Sequence, residues 1–172
     1  MNEELNKLTR EELIGYITDI SKNWLAIDGT WFQAVENEFG IEKAMHCDTE
    51  SWKVFTVVEA KRIMQRFNIA ENGGIQALIK ALKFRIYANI NIQEIIEISE
   101  KRCVFRMNEC RVQTARNRKG LTDFPCKNVG IIEYEYFAKT IDPKIETRCI
   151  CCPPDKHPED YYCAWEFVIR EE

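Results

Sequence analysis

Apolar residues recur at helical spacing through the first half of the chain and at alternating positions through much of the second. Leu13, Ile17, Ile20 and Trp24 follow behind Thr9-Arg10-Glu11-Glu12, a capping-box sequence in which the Thr and Glu side chains can each satisfy the other's backbone N–H. Asp28 predicts the N-cap of a second, short helix with Trp31, Phe32, Val35 and Phe39 facing inward and Gly40 as its stop. A third helix is expected over residues 48–69, carrying Trp52, Phe55, Val58 and Phe67. Gly73-Gly74 breaks the chain, and Ile75, Leu78, Ile79, Leu82 and Ile86 form a fourth stripe.

From residue 92 the period shortens. Ile92, Glu94, Ile96 and Ile98 predict a strand, Cys103 to Met107 a second, with Glu100-Lys101-Arg102 as the turn between them. Residues 110–119 return to a helical pattern that ends at Gly120. Pro125 precedes a helix from Lys127 to Ile141, which Asp142-Pro143 closes. Two last strands, 145–151 and 162–169, flank a loop stiffened by Pro153, Pro154 and Pro158. Helices followed by β-β-α-α-β-β imply an α+β fold. Its helical layer, residues 1–90, packs on a four-stranded antiparallel sheet within residues 91–172, in one compact domain.

Composition bounds the setting. The chain has 172 residues, 45% hydrophobic and 30% charged, enough to bury a core without disulfide staples. No apolar run approaches the roughly 18 residues of a membrane span, and the acidic Met1-Asn2-Glu3-Glu4 opens no secretory signal. A cytoplasmic location is expected, and there an even cysteine count points to metal or reactive thiols. A net charge of −4 argues against non-specific nucleic-acid binding despite the local basic run Lys101, Arg102, Arg106, Arg111, Arg116, Arg118 and Lys119, set against Glu109 alone.

Of the eight cysteines, Cys126, Cys149, Cys152 and Cys163 form the sharpest set. Cys149-x2-Cys152 has the spacing of a zinc half-site. Cys163 opens the returning strand, and Cys126 begins a helix, where a thiolate is electrostatically favoured. Cys151, which shares a strand face with Cys149, or His157 in the adjoining loop could substitute for one of the four. Buried core thiols, a redox disulfide or iron–sulfur chemistry stay open as other readings of the same residues. Cys47, Cys103 and Cys110 read as small buried hydrophobes.

Cys126, the helix after it, the strand ending in Cys149-x2-Cys152, a loop and Cys163-Ala164-Trp165-Glu166-Phe167 resemble the C-terminal half of the 4-vinyl reductase domain. The resemblance covers residues 90–170 and implies a fold shared with vesicle-tethering transport-particle proteins. It also implies a small-molecule sensor role, a bound zinc with Cys126, Cys149, Cys152 and Cys163 as ligands, and a possible homodimer. The Pro153-Pro154-Asp155 loop, and a cysteine where that family can use Glu, depart from the pattern. Cys152-Pro153-Pro154-Asp155 with Cys163-Ala164-Trp165 is also similar to the L-2-amino-thiazoline-4-carboxylate hydrolase-like proteins. Asp28-Gly29-Thr30-Trp31-Phe32 and Cys126-Lys127 resemble segments of uncharacterised bacterial and archaeal cytosolic proteins.

A second constellation lies on the predicted helix at 110–119. Cys110, Gln113 and Arg116 fall near one face and could bind a carboxylate, or set a thiol nucleophile beside an anion clamp. Trp24, Trp31, Trp52 and Phe32 are expected as core, or as walls of an apolar pocket with Trp31 touching the ligand. Together these features predict a small-molecule-binding domain stabilised by a structural zinc, for a small apolar or carboxylate-bearing ligand. A metal with four protein ligands keeps no open position for chemistry. The rival expectation is a cysteine- or metal-dependent hydrolase of a small amide or heterocyclic carboxylate, using Cys110 and Arg116.

Overall fold

The capping box forms as its sequence predicts. Glu12 N–H donates to Thr9 Oγ1 at 3.2 Å, and Thr9 N–H donates to Glu12 Oε2 at 2.7 Å. The helix it starts, α1, runs unbroken over Arg10–Phe39, as seen in the computed structural model, which describes residues 2–170. Met1 and Glu172, the outer bounds of the two expected halves, lie outside the described residues. Asp28 is therefore not an N-cap but a mid-helix residue. The apolar rhythm from Leu13 stays in phase through Trp24 to Trp31 and Val35, and an interior Asp costs a helix only about 0.7 kcal/mol or less. The break comes at Gly40, whose φ of +81° suits glycine and whose N–H closes the last turn on Glu36 O. Helix α2 (Ile41–Phe67) begins at once, seven residues ahead of the expected start at 48.

Helix α3 (Gly74–Leu82) and a 3-10 turn at Ile86–Asn89 lead into the sheet. Its strands are β1 (Ile92–Ile96), β2 (Arg102–Glu109), β3 (Ile145–Cys151) and β4 (Cys163–Ile169). Between β2 and β3 lie α4 (Arg111–Asn117) and α5 (Lys127–Ile141). The spatial order is β1-β2-β4-β3 and every pairing is antiparallel. The molecule is thus the expected α+β fold, with helices first and a four-stranded antiparallel sheet in the C-terminal half.

Register decides what faces inward. Cys103 pairs with Phe167, Phe105 with Trp165 and Met107 with Cys163, so all six share one face. That face packs on Tyr134, Phe137, Ala138 and Ile141 of α5 and on Leu78 and Leu82 of α3. Helix α2 covers the far side of α5, and α1 lies on α2. Trp165, Phe105, Phe137 and Phe167 are almost fully buried, and each such side chain stabilises the fold by about 1.5–3 kcal/mol. Exposed pairs such as Lys139–Glu135 contribute about 0–1 kcal/mol, so this seam carries the stability.

One charged group interrupts the helical stack. Arg85, 3% exposed, donates from Nε to Glu59 at 2.9 Å and from Nη1 to Glu133 at 2.6 Å. Its guanidinium also lies 4.6 Å from the Phe137 ring centroid. Burial opposes its charge, but Glu59 and Glu133 outweigh that and raise its pKa. By contrast, α1 leaves Ile14, Ile17, Ile20, Ile27 and Trp31 exposed.

Candidate functional site

Three of the four cysteines singled out by spacing meet where α5 begins. Cys126 is the N-cap of α5, Cys152 follows β3, and Cys163 opens β4. The Cys126 and Cys152 sulfurs share a hydrogen bond at 3.5 Å, and the Cys163 thiol is close enough to act on Cys152. Two N–H groups donate to these sulfurs: Gln113 Nε2 to Cys126 at 3.5 Å and Trp165 Nε1 to Cys163 at 3.4 Å. The Cys152 hydrogen bond, foremost, lowers the Cys126 pKa, and that same bond raises Cys152. Cys126 is therefore the group of this pair that ionises first.

The local chain holds this arrangement in place. Lys127 N–H donates to Pro153 O at 2.9 Å, Asp155 N–H to Cys152 O at 2.9 Å, and Lys127 Nζ to Asp155 at 2.7 Å. The loop after β3 is thereby fixed across the start of α5. Gly130 completes the fit, because a Cβ there would stand 2.8 Å from the Trp165 ring and 3.9 Å from Cys152 Sγ.

The remaining cysteines are placed differently. Burial foremost pushes the Cys149 thiol up to about 11, with Lys127, Asp155, Cys151 and Cys163 also acting on it. Cys110, at the start of α4, has Cys163 and Cys126 among the thiols that act on it, and burial pushes it up to about 12. Cys151 is turned toward Tyr161, and Cys103 is buried in the sheet core. Cys47 is exposed on α2, at the open cleft between α1 and α2, not the buried thiol expected. His157 faces Asp123 at 3.2 Å and the Pro158 carbonyl at 2.7 Å, away from the sulfurs. Among the described residues no group of three or more His, Cys, Asp or Glu side chains stands in metal-holding geometry.

Gln113 and Arg116 serve the loop before Cys126. Gln113, 1% exposed, accepts from Phe124 N–H at 2.7 Å and donates to Phe124 O at 3.0 Å. Arg116 donates to Thr122 O at 2.9 Å and lies 5.7 Å over the Phe124 ring. Both hold the segment that delivers Cys126.

Trp31 belongs to another feature, a cleft of about 250 Å³ between α1 and α2. Trp24, Trp31 and Phe32 line it, with Asp28 from α1 and Asp48 from α2. Trp24 stacks on Phe55 at 5.0 Å and meets Trp52 edge-on at 5.7 Å. Burial raises Asp28 to about 6, against a hydrogen bond with Tyr87. Burial, then the charges of Asp28 and Glu133, raise Asp48 to about 7. Neither residue was singled out as a site by sequence, since each reads as a helix cap or surface carboxylate.

Fold and sites together define an α+β domain with a thiol cluster at one end of its central helix and an acidic, aromatic cleft in its helical layer. The chain belongs to a family of unknown function, DUF6125, whose match covers residues 6–169. No curated protein and no solved structure matches it. Among the described residues no helix is long and apolar enough to cross a membrane.

Proposed function

We propose that the protein is a small-molecule-binding domain whose thiol-rich end is closed by a structural zinc, with Cys110, Cys126, Cys152 and Cys163 as the four ligands. The observation that carries the reading is the convergence of Cys126, Cys152 and Cys163 from three separate elements, with two sulfurs already 3.5 Å apart. Four soft thiolates suit zinc, and the N–H donors on Cys126 and Cys163 are the outer support that metal-bound thiolates usually have. Cys110 is assigned the fourth place in preference to Cys149, because both Cys163 and Cys126 act on it, whereas of the three only Cys163 acts on Cys149. Closing on an ion requires these side chains to rotate toward a common centre.

A closed site of this kind holds β3, β4 and α5 together and leaves ligand binding to the helical layer. A hydrolase built on Cys110 and Arg116 has less to support it, since that thiol is pushed up to about 12 and that guanidinium is tied to Thr122 and Phe124. Elemental analysis of purified protein tests the reading. One zinc per chain is expected, lost in Cys126→Ser and Cys163→Ser and kept in Cys149→Ser. Metal-free protein that neither takes up zinc nor melts higher with it overturns the metal. A metal lost in Cys149→Ser but kept in Cys110→Ser restores the set expected from spacing.

A further inference from the structure

We infer that the cleft between α1 and α2 binds an organic cation, an alkylated or aromatic amine held by Asp28 and Asp48 against the faces of Trp24, Trp31 and Phe32. The inference rests on the ligand-binding half of the reading above and is independent of the metal.

Charge selects the ligand class. Two carboxylates line the cleft, and among the described residues neither forms an ion pair with a Lys, Arg or His. The one buried cation near them, Arg85, is committed to Glu59 and Glu133. The charges that act on Asp48 are those of Asp28 and Glu133, so once Asp28 ionises at about pH 6 and Asp48 at about pH 7 the cleft is negative, with no counter-ion among the described residues. A carboxylate-bearing ligand would meet repulsion there. A neutral apolar ligand would strip water from both carboxylates and return nothing to them, a costly exchange.

The walls fit the same conclusion. An amine over an aromatic face gains about 0.5–2 kcal/mol, more as water is excluded, and Trp is the best such face. Trp24 is held rigidly by Phe55, Trp52 and Tyr87, with ring centroids 5.0, 5.7 and 5.5 Å away. Trp31 is 58% exposed, a large indole that the fold's own packing leaves open at the cleft's rim. Phe32 is fixed from behind by Phe124, edge-on at 5.0 Å. A cleft walled by aromatic rings, with two carboxylates that lack a cationic partner, complements a cation that carries apolar surface. A bare calcium ion would find only the two carboxylates and the Ser51 hydroxyl as side-chain oxygen donors among rings, fewer than the six to eight oxygens it takes.

The test uses three probes of one shape: benzyltrimethylammonium, benzyl alcohol and benzoate. Binding to the full chain is followed by tryptophan fluorescence and by the indole N–H signals of Trp24, Trp31 and Trp52. The cation should bind saturably and about tenfold or more tighter than either other probe, which is about 1.4 kcal/mol. Asp28→Asn and Asp48→Asn should each weaken it about tenfold while zinc content stays unchanged. Trp31→Ala should weaken it and leave the melting temperature nearly unmoved. Benzyl alcohol or benzoate binding as well as the cation overturns the charge assignment but spares ligand binding. Unchanged cation affinity in both Asn variants overturns the cleft as the site. If no probe of any charge saturates, both this inference and the ligand-binding reading fall, whatever the metal content.

Discussion

Arg85 and Glu133 meet at 2.6 Å inside the helical stack, one from the turn after α3 and the other from the middle of α5. Both are buried, and Arg85 also holds Glu59 of α2. Removing the cation would leave two carboxylates buried against each other. Arg85→Met should therefore cost about 3–5 kcal/mol in urea unfolding at neutral pH. Replacing Glu59 and Glu133 by Gln in the same chain should recover part of that loss, because the charges left unpaired are the main cost. An equal loss in the triple variant would show that packing, not charge, dominates.

Gly130 sits in the interior of α5, where alanine is ordinarily better by about 1 kcal/mol. Here the added carbon would press on the Trp165 indole at 2.8 Å, and a ring wedged between Tyr134 and β2 has little freedom to yield. Gly130→Ala should destabilise by about 1–3 kcal/mol, the usual cost of overpacking. It should also shift the Cys152 environment, readable as a changed alkylation rate. A stabilised variant would mean that the indole moves freely.

The cleft carboxylates make stability depend on pH. Asp28 is raised to about 6 and Asp48 to about 7, so each contributes stability that is full below the ordinary value of 3.8 and is lost as pH rises through the folded value. Tyr87, Glu133, Trp52 and Cys47 are the other groups around them, and none supplies a positive charge. Without ligand, Asp48→Asn should gain about 1–2 kcal/mol at pH 8 and nothing near pH 4, discounted for the half-exposed carboxylate. His157, raised overall by Pro158 and Asp123 against its burial, acts in the same direction at higher pH. Its effect is common to both proteins and cancels in their difference. A gain of equal size at both pH values would remove ionisation as the cause.

Thiol reactivity separates the cysteines once metal is removed. Iodoacetamide pulses near about pH 7.5 should label exposed Cys47 first and Cys126 next, the latter through its lowered pKa. Cys103 and Cys110, both pushed up to about 12, should resist until the protein unfolds. With zinc bound, Cys126 should fall silent while Cys47 keeps its rate. Rapid labelling of Cys110 in the folded protein would revive a nucleophile on α4.

How far these features could be read in advance follows from how local their causes are. The capping box at Thr9 and Glu12, the break at Gly73-Gly74 and α5 over Lys127–Ile141 rest on neighbours in sequence, and all appear where expected. Asp28 shows the opposite case. Its side chain suits a cap, but the apolar stripe stays in phase past it, and its carboxylate goes to a cleft that exists only once α2 has folded back. Spacing leaves Cys110 outside the cysteine set for a similar reason. Its sequence neighbours Gln113 and Arg116 suggest an anion site, not a link to the other thiols, yet Met107 pairs with Cys163, so the chain leaves β2 beside that sulfur. Glu133 did leave a trace, since it lies four residues from both Val129 and Phe137 on the inward stripe. Its partner Arg85 left none.

The glycine joint at Gly40 gives α1 a standing unlike that of any other helix. It meets the rest of the molecule chiefly through α2 and the turn at Ile86–Asn89, with Ser21 and Asn89 joined at 3.1 Å. Yet it supplies one whole wall of the cleft. Whatever fills that space acts as mortar between a brick laid on the outside and the wall behind it. Occupancy and the seating of α1 are then a single equilibrium, and amide exchange along its second half would report both.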